Sequence, residues 1–155
     1  MQNIDAIDLQ ILALLQPDAR MPNTALAKEL GMAPSAVLER VRKLEARGVI
    51  EDYTTRIRPE AVEQKLLAFI FIRTSTPPGD MHLSEYLSAI PEILELHVIA
   101  GEDCLLAKVR AADAQALVRL MRDRFAGVPG LLATKTTIVL DTIKEKNHLI
   151  IRQTV

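Results

Sequence analysis

Apolar and polar residues recur at helical spacing through the first fifty residues of the chain. Positions 4, 7, 11, 14 and 15 form one apolar stripe, and the acids in its first turn suit the positive end of a helix dipole. A second pattern precedes Gly31, with Asn23 at the position of an N-cap. A third pattern begins at Pro34, which fits the first turn of a helix, and ends at Gly48. The sequence therefore predicts three helices, with a tight turn between the second and the third.

The third helix is predicted to have one apolar and one polar face. Val37, Val41 and Leu44 form the core-facing stripe. The residues projected onto the opposite face include Ser35, Glu39, Arg42 and Lys43. A short helix, a tight turn and a longer basic helix are the parts of a helix-turn-helix, and an α-helix fits the major groove of B-DNA. On spacing alone, the alternative is an ordinary corner between two helices of a helical domain.

Further candidate DNA contacts lie beside and after this face. Arg40 projects nearer the core, which favours a phosphate or an internal partner. Residues 49–50 and 53–57 predict a two-stranded wing, with Arg56 and Arg58 on one face as candidate phosphate contacts. A solvated edge strand is the alternative for those two arginines.

Local charge favours DNA binding only mildly. From residue 34 to residue 58, six basic and four acidic residues give a net charge of +2. A single copy would bind DNA weakly, because affinity rises with the number of phosphates neutralised. A dimer with two such helices one turn of DNA apart is therefore expected.

Beyond Pro59 the pattern changes from helical to alternating. Strands are predicted at residues 65–74, 93–100, 104–110 and 131–140, and amphipathic helices at residues 80–90 and 113–125. The order βαββαβ is the ferredoxin-like arrangement, so the predicted fold class is α+β, an N-terminal winged helix-turn-helix followed by this domain. Its sheet would carry helices on one face only, and a second copy of the domain is expected to cover the other.

Composition limits the remaining possibilities. The 155 residues are 49% hydrophobic and 25% charged, as in a soluble globular protein of one average or two small domains. The net charge of −1 means that any nucleic-acid site is local. One cysteine excludes an internal disulfide framework. With neither a signal peptide nor an apolar run that could span a bilayer, we expect a cytoplasmic protein.

Metal and nucleophile chemistry find little support. The three histidines are far apart and lack the spacing of metal ligands, so neither a metal nor a cofactor is expected. His97 lies in the middle of a predicted strand, as a core or interface histidine would. Cys104 has no neighbouring base that would activate it as a nucleophile.

Four motifs, in one order over almost the whole chain, carry a family resemblance. They are IDAIDLQILALLQPDAR, LAKELGMAPSAVLERVRKLEARGVI, GEDCLLAKVRAAD and VPGLLATKTTIVL. With them the chain resembles the Lrp/AsnC, or feast/famine, family of bacterial and archaeal transcription regulators. The resemblance implies a dimer built through the second domain, often assembled into octamers, and an amino acid or similar effector bound where neighbouring effector domains meet. It implies a DNA-binding domain at 1–60, a ligand-binding and oligomerisation domain at 61–142 and a C-terminal tail at 143–155.

Two positions depart from the family's usual pattern. Ala33 stands where the family usually has serine or threonine before the proline, so the third helix lacks a side-chain cap worth on the order of 1 kcal/mol. The hairpin between the middle strands often reads Gly-Asp-aromatic-Asp. Here the second acid aligns with Cys104, and Asp103 is one place early, which bears on the identity of the ligand.

The expected effector-binding residues lie on this hairpin and on the last strand. An amino-acid ligand needs donors for its carboxylate and acceptors for its ammonium group. The residues that offer both are Gly101, Glu102, Asp103 and Cys104 on the hairpin and Thr134 and Thr136, which match the family's Thr-x-Thr strand. Alternatively, Gly101 only makes the turn and the threonines only favour a strand.

The sequence therefore predicts a non-enzymatic, sequence-specific regulator that binds double-stranded DNA and responds to an amino acid or similar effector as a dimer or octamer. A second hypothesis is an enzyme, because sirohaem decarboxylases resemble the same architecture; His82 or His97 would then help to hold tetrapyrrole carboxylates. A third is an assembly protein whose DNA head has lost its function. The basic face of the third helix favours the regulator. The apolar patch at residues 149–151 packs either on a neighbouring subunit or on its own domain.

Overall fold

The structure, a computed structural model, describes residues 4–75, 82–101 and 104–151. The chain divides into two compact units. One comprises Met1–Arg56 with Lys144–Val155, and the other comprises Ile57–Ile143. The tail thus belongs to the same unit as the N-terminal helices.

The first unit is built on three helices, α1 (Ala6–Leu15), α2 (Asn23–Leu30) and α3 (Pro34–Ala46). Their apolar stripes meet in one core, as the spacing predicts. Its fully or almost fully buried side chains are Ile11, Leu15, Leu26, Ala27, Val37, Val41 and Leu44. The turn between α2 and α3 depends on Gly31, whose φ of +63° is the left-handed conformation that glycine adopts without steric cost.

The predicted N-cap of α2 is wrong. Asn23 is the first residue inside the helix, and Pro22 is the N-cap. Pro22 has the extended backbone of an N-cap, and its carbonyl accepts the amides of Ala25 at 2.9 Å and Leu26 at 3.1 Å. Proline has already fixed its own φ, so the helix begins directly after it without a side-chain cap.

The predicted two-stranded wing is also wrong. Residues 49–58, all of which the structure describes, contain no β-strand. The end of α3 takes up the backbone groups that a strand needs, since the amides of Val49 and Ile50 both donate to the carbonyl of Leu44, at 2.9 and 3.2 Å. Residues 51–58 follow as an exposed, irregular segment.

The second unit is a four-stranded antiparallel sheet with two helices. Its strands are β1 (Leu66–Thr74), β2 (Ile93–Val98), β3 (Leu105–Ala111) and β4 (Leu131–Ile138), in the order β2-β3-β1-β4. The helices are α4 (His82–Ser88) and α5 (Ala114–Leu120); α5 continues as a π-helical turn (Met121–Phe125), and a short 3-10 helix (Pro59–Val62) precedes the sheet. This confirms the predicted ferredoxin-like order.

The core of the second unit lies on the helix-covered face of the sheet. Alternate residues of the central strands are buried there together with helix residues, among them Ile70, Ile72, Ala107, Val109, Leu87 and Leu117. Asp113 caps α5 by accepting the amide of Ala116 at 2.7 Å. On the opposite face, Phe69, Phe71 and Leu106 remain partly exposed. His97 is not a core residue, because its side chain is exposed and lies 3.3 Å from Glu95 Oε2.

Candidate functional site

The outer face of α3 is the first part of the candidate site. Ser35, Glu39, Arg42 and Lys43 are exposed, as the projection predicts. Lys43 Nζ lies 3.0 Å from Glu39 Oε1, one helical turn away, and both side chains are more than half exposed. Such a surface pair contributes only a few tenths of a kcal/mol, about 0.3–0.5 for this spacing. Lys43 can therefore exchange Glu39 for a phosphate at little cost.

The first turn of α3 has no side-chain cap. Ala33 is the N-cap and Pro34 the first helical residue, so no side chain accepts the first amides of the helix. The positive end of the helix dipole and these amides favour a phosphate. Ser35 is exposed in this turn.

Arg40 points to the other side of α3. Its Nη1 atom lies 2.6 Å from Asp5 Oδ2 and 2.7 Å from Asp8 Oδ1, at the start of α1. The hydrogen bonds that Arg40 donates to these carboxylates raise its pKa, and the Asp8 amide, followed by Arg40, lowers the pKa of Asp5. The sequence leaves two roles open for Arg40, a phosphate contact or a contact with an internal partner. The structure provides the internal partner, the carboxylates of Asp5 and Asp8.

The two arginines after α3 lie in different units. Arg56 is exposed in the first unit, and its Nη2 atom lies 3.5 Å from Glu145 Oε2 of the tail. Arg58 is exposed in the second unit, at the N-cap of the 3-10 helix. Because the predicted wing is absent from residues 49–58, the alternation that placed both on one strand face does not apply.

The hairpin between β2 and β3 contains the predicted effector residues. The Ile99 amide donates to the Cys104 carbonyl at 3.0 Å and closes the loop, and the Cys104 amide donates to the Ile72 carbonyl of β1 at 2.9 Å. Gly101 is exposed with a φ of +147°, which disfavours any other residue. Glu102 and Asp103 lie outside the described residues.

Thr134 and Thr136 point to one side of β4 and are exposed. They pair with Ile72 and Ile70 of β1, respectively. Thr134 and Cys104 therefore lie on either side of Ile72 at the same end of the sheet, about two strand spacings or ~10 Å apart. The structure brings Cys104 of the hairpin and Thr134 to the same end of the sheet, with Thr136 two residue pairs further along β4.

Sequence reasoning missed the polar partners that hold α3 in place. Asp5 and Asp8 receive Arg40, and Glu45 accepts the hydroxyl of Tyr53 at 2.8 Å. The signal for the first was present, because an acid pair three residues apart at a helix start is the spacing of a capping box. An arginine on the core side of α3 needed such a partner.

The described residues form neither a metal site nor a membrane-spanning helix. Among residues 4–75, 82–101 and 104–151, no group of three histidine, cysteine, aspartate or glutamate side chains is placed to hold a metal ion. In the same ranges, no helix has the length and apolar character needed to cross a membrane.

A three-helix unit with an exposed polar third helix, on a chain with a ferredoxin-like domain, is the architecture of helix-turn-helix transcription regulators with an attached ligand-binding domain. The model of the AsnC-type helix-turn-helix domain matches residues 4–45, and that of the Lrp/AsnC ligand binding domain matches residues 67–149. The leucine-responsive regulatory protein of Escherichia coli K12 is 33% identical over 153 residues, 97% of this chain and 93% of that protein. The chain belongs to the Lrp/AsnC family of transcription regulators.

Two solved structures show the same fold over nearly the whole chain. A transcriptional regulator of Neisseria meningitidis, in complex with L-methionine, has a TM-score of 0.89 at 26% identity. The match covers 96% of this chain and 97% of that protein's chain. A feast or famine regulatory protein of M. tuberculosis, complexed with L-methionine, has a TM-score of 0.87 at 35% identity. The match covers 97% of this chain and 100% of that protein's chain. The sirohaem decarboxylase hypothesis receives no support from these comparisons.

Proposed function

We propose that this protein is a sequence-specific DNA-binding regulator whose DNA binding responds to an amino acid or a similar small molecule. The observation that carries the proposal is the two-sided third helix, with Val37 and Leu44 buried and Arg42 and Lys43 exposed. It occurs in a chain that matches both domain models of a regulator family. Family membership favours a regulator over an enzyme.

The outer face of α3 enters the major groove in this proposal. Ser35 and the first turn meet a phosphate, and Glu39, Arg42 and Lys43 face base edges or phosphates. Arg56 and Arg58 bind backbone phosphates outside the groove. The local charge of only +2 makes a homodimer necessary for tight binding at physiological salt.

The effector site lies at the end of the sheet that carries the hairpin. Two relatives were solved with L-methionine, which makes L-amino acids the first effectors to test. Backbone groups of Gly101, Glu102 and Asp103 bind the carboxylate or the ammonium group. Cys104, whose backbone amide and carbonyl are paired with Ile72 and Ile99, borders the site. The hydroxyls of Thr134 and Thr136 complete the site from β4.

We also infer the organisation of the working protein. Residues 1–60 form the DNA-binding domain, residues 61–142 the ligand-binding and oligomerisation domain, and residues 143–155 the tail. Homodimers assemble into octamers or another higher oligomer in the cytoplasm. Effector binding changes dimer–dimer packing and hence the spacing of the DNA-reading helices, which couples the two sites.

Fluorescence anisotropy on duplex DNA from upstream of the protein's own gene tests the proposal. We expect tight binding with a steep salt dependence, and a shift in affinity with L-methionine or another L-amino acid. Arg42→Ala should weaken DNA binding and leave the oligomer intact. Binding to this duplex no tighter than to a random duplex would contradict the DNA role.

A pair of threonine variants separates the effector site from the rest of the sheet. Thr134→Val combined with Thr136→Val should abolish the amino-acid response while DNA affinity without effector stays the same. Thr137→Val is the matched control, because Thr137 pairs with Phe69 and points to the other side of β4. An unchanged response in the double variant would contradict the proposed site.

A further inference from the structure

The contact between Arg40 and α1 links a charged side chain of α3 to a nearly buried carboxylate. Asp8 is 7% exposed and is the buried charged residue of the described chain. A single nitrogen, Arg40 Nη1, donates to both Asp5 and Asp8, at 2.6 and 2.7 Å. Charge-assisted hydrogen bonds in partly buried surroundings are short and strong.

The two carboxylates are also held by hydrogen bonds that do not involve Arg40. Asp5 uses Oδ1 to accept the Asp8 amide at 2.9 Å, and Asp8 uses Oδ2 to accept the Asp5 amide at 3.3 Å. These two bonds form the capping box that begins α1. The remaining oxygen of each carboxylate, Oδ2 of Asp5 and Oδ1 of Asp8, faces Arg40. The start of α1 is thus a preorganised acceptor pair.

The apolar contacts that hold α3 are of a different kind. Val37, Val41 and Leu44 bury one face of the helix, and apolar contact has no preferred direction. It fixes which face of the helix lies inside but sets no donor–acceptor geometry. The hydrogen bonds of Arg40 are directional, so they add a constraint on the rotation of α3 that apolar packing does not supply.

We infer that Arg40 is a positioning residue for DNA reading, which fixes α3 through Asp5 and Asp8 so that its outer face meets base edges in one register. The inference rests on the proposed DNA-binding function. Hydrogen bonds to base edges need accurate placement of the side chains that make them, whereas long cations contact phosphates from many positions. Loss of Arg40 therefore harms specific binding more than non-specific binding.

This role and a direct phosphate contact leave different signatures. A phosphate contact contributes to every duplex equally, and its loss lowers the salt slope of log K by about 0.9. A positioning residue contributes to the selected sequence, and its loss leaves the salt slope unchanged. The ratio of specific to non-specific affinity and the salt slope together separate the two.

The experiment selects a duplex from a random library with the wild-type protein and compares it with a shuffled duplex of the same composition. Anisotropy over a NaCl series is measured for wild type, Arg40→Gln and the matched control Arg42→Gln on the exposed face. We expect Arg40→Gln to lose about tenfold on the selected duplex and less than about threefold on the shuffled one, with the slope retained. Arg42→Gln should weaken binding to both duplexes and lower the slope.

Circular dichroism shows whether Arg40→Gln is folded. If it is not, two further variants test the inference. Arg40→Lys keeps the charge but replaces the rigid fork with a compact, rotatable ammonium, so part of the specificity should be lost with the fold intact. Asp8→Asn should lower the specificity ratio, and in combination with Arg40→Lys the two losses should not add. Additive losses would overturn the inference.

The outcomes distinguish the inference from the proposed function. If no sequence is enriched from the library, the proposed function is overturned. If a sequence is enriched and the specificity ratio of the Arg40 variants equals that of wild type, only the positioning role is overturned. Equal losses on both duplexes with a lower salt slope would make Arg40 a phosphate contact.

Discussion

The hydroxyl of Tyr53 donates a hydrogen bond of 2.8 Å to Oε1 of Glu45, in the last turn of α3. Tyr53 lies in the irregular segment that replaces the predicted wing. Burial, followed by the hydrogen bond to the Glu45 carboxylate, raises the pKa of Tyr53 to about 12. The bond ties the exposed segment 51–58 back to the third helix.

Removal of this hydroxyl should destabilise the helical unit. Tyr53→Phe keeps the ring and deletes the donor, so the free energy of unfolding should fall by about 1 kcal/mol. Urea unfolding followed by circular dichroism measures the change. In the Y53F background Glu45→Gln should have little further effect, and a full additional loss would contradict the assignment of this bond.

The alkaline titration of Tyr53 should be displaced as well. The folded state holds the phenolic proton more tightly than the unfolded state, so this share of stability is complete below about pH 10 and is lost as the pH rises towards 12. The ultraviolet absorbance difference between wild type and Tyr53→Phe should show a phenolate transition near pH 12. A transition near pH 10 would show that the contact with Glu45 does not hold in solution.

A side-chain cap can be restored to α3 by one substitution. Ala33 has φ −70° and ψ 138°, the extended backbone of an N-cap, and no side-chain acceptor. Ala33→Ser should raise the free energy of unfolding by about 1 kcal/mol, because the hydroxyl accepts an amide of the first turn. Ala36→Ser, inside the same turn, is the control and should give no gain. An equal effect of both would exclude capping as the cause.

Acid should weaken the start of α1. The Asp8 amide, followed by Arg40, lowers the pKa of Asp5, so the folded state favours the carboxylate. This share of stability is present above the ordinary value of 3.8 and is lost as the pH falls through the lower folded pKa. Asp5→Asn should therefore flatten the fall of the unfolding temperature below about pH 4. An equally steep fall in the variant would show that Asp5 does not contribute to it.

The tail should be released by a change at Gln16, the C-cap residue of α1. The side-chain amide of Gln16 donates to the Leu149 carbonyl at 3.1 Å, and its oxygen accepts the Leu149 amide at 2.6 Å. Gln16→Ala removes both bonds, so hydrogen exchange at the Leu149 amide should accelerate. Gln16→Glu keeps the acceptor and should give a smaller acceleration. Unchanged exchange in both variants would show that the tail is held by other contacts.

The fold could be predicted from residue patterns because its helices and central strands bury apolar side chains. The stripe Val37, Val41 and Leu44 is the core stripe of α3, and the apolar run of residues 65–74 contains the central strand β1, which contributes Ile70 and Ile72 to the core of the sheet. The wing could not, because the apolar pair Val49-Ile50 suits a strand and a helix end equally well. Its two amides cap α3 through the Leu44 carbonyl instead, and local alternation carries no information on that competition.

Only part of the candidate site could be predicted from the sequence. A rotation of 100° per residue places Ser35 and Arg42 on the outer face without knowledge of any partner. The acceptors of Arg40 lie 32 and 35 residues away, so nothing near Arg40 in the chain identifies them. The position of Thr134 opposite Ile72 likewise depends on the register between β1 and β4, which the sequence does not state.

The grouping of the tail with the N-terminal helices has a consequence for biosynthesis. The ribosome releases α1, α2 and α3 first and residues 144–151 only after the whole sheet has been made. Domains generally fold from the N-terminus as they emerge. Gln16 can form its hydrogen bonds with Leu149 only after about 130 further residues have been translated. The unit that begins to fold first is therefore finished last, and a translating polysome carries DNA-reading units that still lack their final segment.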